Sequence, residues 1–151
     1  MPANYARYLI GTQRTAESNR ELGFVLAFVA GSINAGGFLA VKQYTSHVTG
    51  MVSSLADNLA LGQLGLVVDA GVGVLSFLLG AMCCAIMVNF ARRRELSSEY
   101  ALPLLLEAVL ILCFGLLGAQ LSTFEGLLVP FTVVLLCFIM GLQNAIATKL
   151  S

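Results

Sequence analysis

Two asparagines, one histidine, one threonine and two carboxylates stand out, because each lies in or beside a stretch where polar groups are costly. Asn34 and Asn144 sit inside long apolar runs, where an unpaired amide is expensive and therefore informative. Facing each other, they could bind a small solute or an ion with amide and unwound backbone groups. The competing reading is an interhelical hydrogen bond that fixes packing, worth only about 0.6 kcal/mol on average in a membrane. His47 and Thr49 follow the first run. A histidine that titrates near neutrality can carry protons in a coupled transporter; equally, it can serve as a hydrogen-bonded residue at an interface. Thr49 and Gly50 would shape the entry of a short helix, glycine supplying backbone freedom. Asp57 joins Thr49 and Ser53 at i, i+4 and i+8 to make a polar stripe. Glu107 falls about seven residues, or ~10 Å, into a third apolar run. A charge at mid-membrane costs about 2.5–3.5 kcal/mol on insertion scales, so Glu107 is read either as an ion or proton site or as a contact nearer the interface.

Enzymatic chemistry is not expected. The chain has a single histidine, and no nucleophile–base pair, phosphate loop, paired carboxylates or His-Glu-x-x-His arrangement accompanies it. Cys83, Cys84, Cys113 and Cys137 all lie in apolar runs without Cys-x-x-Cys spacing. They read as small apolar packing residues rather than a disulfide framework, and no metal or cofactor is expected.

The elements that must position these residues are membrane helices. Of 151 residues, 58% are hydrophobic and 11% charged, against roughly 25% charged in a soluble domain whose surface must be wetted. Net charge is zero and the one basic cluster is Arg92, Arg93 and Arg94, too little for a nucleic-acid footprint. Four stretches, 22–41, 64–91, 101–124 and 126–148, approach the ~20 residues that cross a bilayer as a helix. The first is too long for a signal-peptide core and is read as a retained span. Nothing alternates as barrel strands do, so helices remain as the way to satisfy the backbone in lipid.

Positive charge sets the expected orientation. With a cytoplasmic N-terminus and four crossings, Arg7, Arg14, Arg20, Arg92, Arg93, Arg94 and Lys149 all fall inside, and only Lys42 outside, as the positive-inside rule requires. A full crossing by 43–63 would break that agreement. This segment is therefore expected to be a re-entrant or interfacial half-helix, with Val48, Met51, Val52, Leu55 and Leu59 on one face and the Thr49–Ser53–Asp57 stripe on another. Asp69, Gly73, Ser76 and Gly80 follow at i, i+4, i+7 and i+11, a stripe read as a close helix–helix contact, with Gly31 and Gly141 as further packing positions.

The first and fourth spans also echo each other. Residues 26–35 align without gaps to residues 136–145, sharing Leu, Phe, Gly, Asn and Ala in register. With three spans between their starts, the copies would run in opposite directions, as in the inverted repeats of many secondary transporters. A first unit would cover 22–124, and 125–151 would begin an incomplete second unit within a single membrane domain.

Gly31-x-x-Asn34-Ala35, then Ser46-His47-Val48-Thr49-Gly50, then Gly141-Leu142-Gln143-Asn144-Ala145 resemble the YoaK-like family of bacterial multipass membrane proteins, a domain of unknown function. The resemblance implies a bacterial plasma-membrane location, about six spans in a typical member and no established substrate. Family members often carry Asp at the position of Asn34 and a polar residue at that of Met51, and a second Thr-Gly motif is missing here. The expectation is an all-α membrane protein of about four transmembrane helices plus a half-helix. In function it is a secondary transporter or permease for a small solute; the alternative is a non-transporting assembly or regulatory partner. Its expected partners are the lipid bilayer and either a second copy or a separate second half, with no nucleic acid.

Overall fold

A computed structural model describes residues 5, 8–11, 15–41, 47–118 and 125–150, and among them all regular structure is helical. Helix α1 spans Ala16–Val41, α2 Val48–Ala60, α3 Leu64–Arg93, α4 Ala101–Gly118 and α5 Glu125–Leu150. Each expected apolar run has become a helix, and 43–63 contains the short helix α2. The far end of the expected third span (119–124), Lys42, the loop to Ser46, Arg7 and Arg14 lie outside the described residues.

Local chemistry explains where the helices begin and end. Helix α1 starts before its apolar run because Thr15 and Ser18 cap it reciprocally. The Ser18 amide donates to the Thr15 hydroxyl at 3.2 Å and the Thr15 amide to the Ser18 hydroxyl at 3.1 Å, a capping-box geometry that satisfies two amides with no helical acceptor. Helix α4 opens with Pro103 in its first turn, where the missing N–H removes no helical bond.

Helices α2 and α3 end in the same way. Past α2, Gly62 takes φ 70° while the Gln63 amide reaches back to the Asn58 carbonyl at 2.9 Å. Past α3, Glu95 takes φ 51° while the Leu96 amide reaches the Ala91 carbonyl at 3.0 Å. Both are Schellman ends, whose left-handed residue is usually glycine. Gly62 is free of Cβ strain there, and Glu95 is not. Glu95→Gly should therefore stabilise the protein by about 1 kcal/mol and Gly62→Ala should destabilise it by a similar amount. Thermal unfolding in detergent checks both, and midpoints moving the same way would contradict this account of the two ends.

Helices α1, α3 and α4 pack around α5, and α2 packs on α3. The inward face of α5 buries Leu136, Cys137, Ile139, Met140, Leu142 and Ile146. Helix α1 runs antiparallel to it: the Gln143 side-chain amide donates to the Leu26 carbonyl at 2.6 Å and the Asn19 amide to the Leu150 carbonyl at 3.3 Å. Helix α4 is also antiparallel, with the Tyr100 hydroxyl donating to the Lys149 carbonyl and Phe114 in the Leu136–Ile139 cluster. Helix α3 runs parallel to α5. Direction therefore alternates along α1, α3, α4 and α5.

The outer surface is what water would reject. Phe24, Phe28 and Leu39 on α1 are 69%, 76% and 73% exposed, and Leu105, Val109, Leu112 and Leu116 form an exposed stripe along α4. Large apolar side chains outside and amides inside invert the arrangement of a soluble domain. Three helices are long and apolar enough to cross a membrane: 16–39, 64–93 and 130–150. The expectation was four; the remaining helix, α4, is a shorter apolar helix of 18 residues.

Candidate functional site

The site is built on α5. Thr132, Leu136, Ile139, Gln143 and Ile146 recur at helical spacing and are all buried, so two of the five positions on this stripe are polar. Close approach by α3 fixes this face. A Cβ added at Gly80 would run into the Phe138 carbonyl oxygen and come within 3.0 Å of the Leu142 amide nitrogen. One added at Gly141 would run into the Phe77 carbonyl oxygen. The Ser76 hydroxyl donates to the Val134 carbonyl at 2.7 Å. The two backbones therefore meet through glycine, as small residues permit in membrane helices.

Around α5 the interior carries buried polar atoms without hydrogen-bond partners. Glu107 is 3% exposed, and neither carboxylate oxygen has a hydrogen-bond partner. Gln143 is also 3% exposed; its amide nitrogen holds Leu26, and its oxygen has no partner. The Thr132 hydroxyl and the Asn34 side-chain oxygen are likewise buried without partners. Helix register places Glu107 level with Gln143. Tyr100 meets Lys149 at one end, and Leu110 and Ile111 pack in the cluster of Ile139 and Met140 at the other. From α3, Cys84 lies within electrostatic reach of Glu107. These atoms, with the buried Asn19 oxygen near Leu150, are spread along the bundle, and only Glu107 and Gln143 share a level; buried polar atoms are normally paired, so those two call for an explanation.

The residues singled out from sequence are distributed unevenly about this interior. Glu107 is at its centre and Asn34 at its edge, half-buried with its oxygen turned inward. Asn144 is exposed, which corrects the expectation that the two asparagines face each other. The antiparallel register puts Asn34 beside the Leu135–Leu136 end of α5, about nine residues and ~14 Å from Asn144. A helix turns about 100° per residue, and it is Gln143 that points inward. His47, Thr49 and Asp57 are exposed on or beside α2, away from Glu107.

Of the packing positions, Gly73, Ser76, Gly80 and Gly141 are buried along the α3–α5 contact, and a Cβ added at Gly73 would lie 3.5 Å from the Met51 sulfur of α2 and 3.6 Å from that of Cys137. Two do not lie there. Gly31 has nothing within 4 Å of a built Cβ, and Asp69 is exposed. Both stand on faces that turn away from the neighbouring helices. Among the described residues no three His, Cys, Asp or Glu side chains gather as a metal site would require. At the α3–α4 loop, a concavity of about 360 Å³ lined by Arg92, Glu95, Leu96, Ser97 and Glu99 lies apart from this interior; there Arg92 is already paired with Glu99 at 2.9 Å.

A family model described as a protein of unknown function, DUF1275, matches residues 22–151, which takes in α2 to α5, α1 from Leu22 onward and the interior just described. The chain belongs to the DUF1275 family. The YoaK-like resemblance of its Gly-Asn-Ala and Thr-Gly motifs is consistent with this membership. No curated protein and no solved structure matches the chain. The DUF1275 match therefore gives kinship without a chemistry, and the interior must be read from its own residues. Gln143 and Thr132 were not singled out from sequence. Their signal was there: Thr132 at i and Gln143 at i+11 share a helical stripe with Leu136, Ile139 and Ile146 at i+4, i+7 and i+14.

Proposed function

We propose that this DUF1275 protein is a membrane transporter or permease for a small solute, with its solute site at the Glu107–Gln143 level of α4 and α5. One observation carries the reading: a carboxylate and an amide oxygen, both nearly sealed from the surface, lack donors inside a bundle whose exterior is apolar. Ionisable groups at membrane depth usually mark substrate or ion pathways. A site rich in acceptors suits a solute bearing N–H or O–H donors or positive charge. The antiparallel pairing of the matched segments in α1 and α5 supports an inverted repeat, in which polar sites lie at the repeat interface. Reconstituted vesicles offered a panel of small amines, amino acids and polyols test the proposal. Uptake above empty vesicles supports it. Fixed co-purification with another membrane protein and no uptake would favour the alternative of an assembly partner.

We also propose that the N-terminus is cytoplasmic in a bacterial plasma membrane. Every described basic residue (Arg20, Arg92, Arg93, Arg94 and Lys149) belongs to the end of the bundle where Asn19 meets Leu150 and Tyr100 meets Lys149. That clustering is what the positive-inside rule favours on the cytoplasmic side. At the other end, α2 runs back along the first turns of α3, with Leu55 against Gly71 and Met51 against Gly73, as a half-helix entering from outside would. Cysteines at Gln63 and Ser97, at opposite ends of α3, should be labelled by a membrane-impermeant reagent from outside and from inside the cell, respectively. Labelling of both from one side would overturn this topology.

A further inference from the structure

We infer that Glu107 is a proton-binding site that couples proton movement to the transport proposed above, an inference that rests on that reading. The choice of ligand follows from the donor–acceptor balance. Glu107 offers two carboxylate oxygens without partners, and Gln143 at the same level offers a third oxygen that lacks a donor because its nitrogen is committed to Leu26. A divalent cation takes six or more oxygen ligands, and the described residues bring no cluster of acidic, His or Cys side chains together. A proton needs one oxygen. Once bound, it turns an acceptor-only carboxylate into a neutral group that also donates and that burial penalises far less.

The surroundings contain no fixed charge to hold an ionised carboxylate. From α1, residues 22–41 contribute no Asp, Glu, Lys, Arg or His, and from α5, residues 126–148 contribute none. Helix α3 contributes the Cys84 thiol, with its arginines about two turns further along at the Tyr100–Lys149 end of the bundle. Helix α5 ends in Lys149, beside Tyr100 at the margin of the bundle. An ionised carboxylate sealed among such groups is costly, so Glu107 can lose its proton when water or a cationic solute reaches it. The exchange balances simply: the carboxylate takes one proton from water on one side, and the carboxylic acid returns one proton to water on the other as the solute enters or leaves.

Infrared difference spectroscopy of the purified protein in lipid bilayers, stepped in pH, reads this site without needing a substrate. A carboxylic-acid C=O band should appear at low pH and vanish at high pH. It should be missing in Glu107→Gln, present but shifted in Glu107→Asp, and insensitive to sodium at fixed pH. Glu107→Asp retains the readout should Glu107→Gln fail to fold. A spectrum with no pH-dependent band assignable to Glu107, or a band that answers to sodium instead, would overturn the inference. Solute uptake without the band would reject the proton site and leave the transporter standing. The band without uptake of any solute would keep the proton site and reject the transporter.

Discussion

Gly80→Ala and Gly141→Ala should each destabilise the protein by about 3 kcal/mol, the upper end of the usual cost of overpacking, while Gly31→Ala and Gly115→Ala should not destabilise it. All four substitutions add the same methyl group to a helix. At Gly80 and Gly141 the new carbon meets the backbone carbonyls of Phe138 and Phe77, which cannot rotate aside as a side chain could. Either α3 and α5 separate, exposing the Ser76–Val134 hydrogen bond and the Cys137 contact, or their backbones distort. At Gly31 and Gly115 a Cβ meets nothing within 4 Å, so alanine should gain up to about 1 kcal/mol of helix propensity. Thermal unfolding in one detergent, followed by monodispersity on gel filtration, checks the four together. Equal behaviour across all four would mean that α3 and α5 do not approach as described.

Glu107→Leu should raise stability by about 1–4 kcal/mol, the range seen when buried ionic groups give way to well-packed apolar ones, and should abolish any transport. A carboxylate without partners contributes nothing that leucine does not, and its desolvation opposes folding. Were Glu107 a structural residue, its loss would instead destabilise the bundle. The opposite movement of stability and activity is the mark of a group kept for function at a cost to the fold. A lowered unfolding midpoint in Glu107→Leu would place the residue among the packing groups.

Much of the architecture was legible in the sequence because lipid imposes a simple rule: a backbone that cannot bond to water must be helical. The apolar runs ending at Val41 and at the three arginines end as helices there, and the short segment that the charge tally kept from crossing became the 13-residue α2. What was not legible depended on rotation about a helix axis and on neighbours distant in the chain. Asn144 drew notice through its match to Asn34, yet one residue earlier Gln143 faces inward and bonds Leu26. Glycine gave a similar mixture. The spacing of Gly73, Ser76 and Gly80 marked a contact face, but nothing in the spacing separated Gly141, set against Phe77, from Gly31, set against open space. Glu107 was visible as a charge in an apolar run, and only the fold shows that its oxygens are sealed and without partners.

The most direct test of the account is whether water and small solutes reach the α5 interior. In a background with Cys83, Cys84, Cys113 and Cys137 replaced by alanine, single cysteines at 107, 143, 136 and 139 would be exposed in vesicles to a small, membrane-impermeant cationic thiol reagent. All four positions are buried, so a static, dry bundle protects them equally. A transport pathway past Glu107 and Gln143 predicts measurable labelling at 107 and 143, with Leu136 and Ile139 positions labelled much more slowly. Uniformly slow labelling at all four would contradict the pathway and leave these polar groups as packing residues of a membrane bundle.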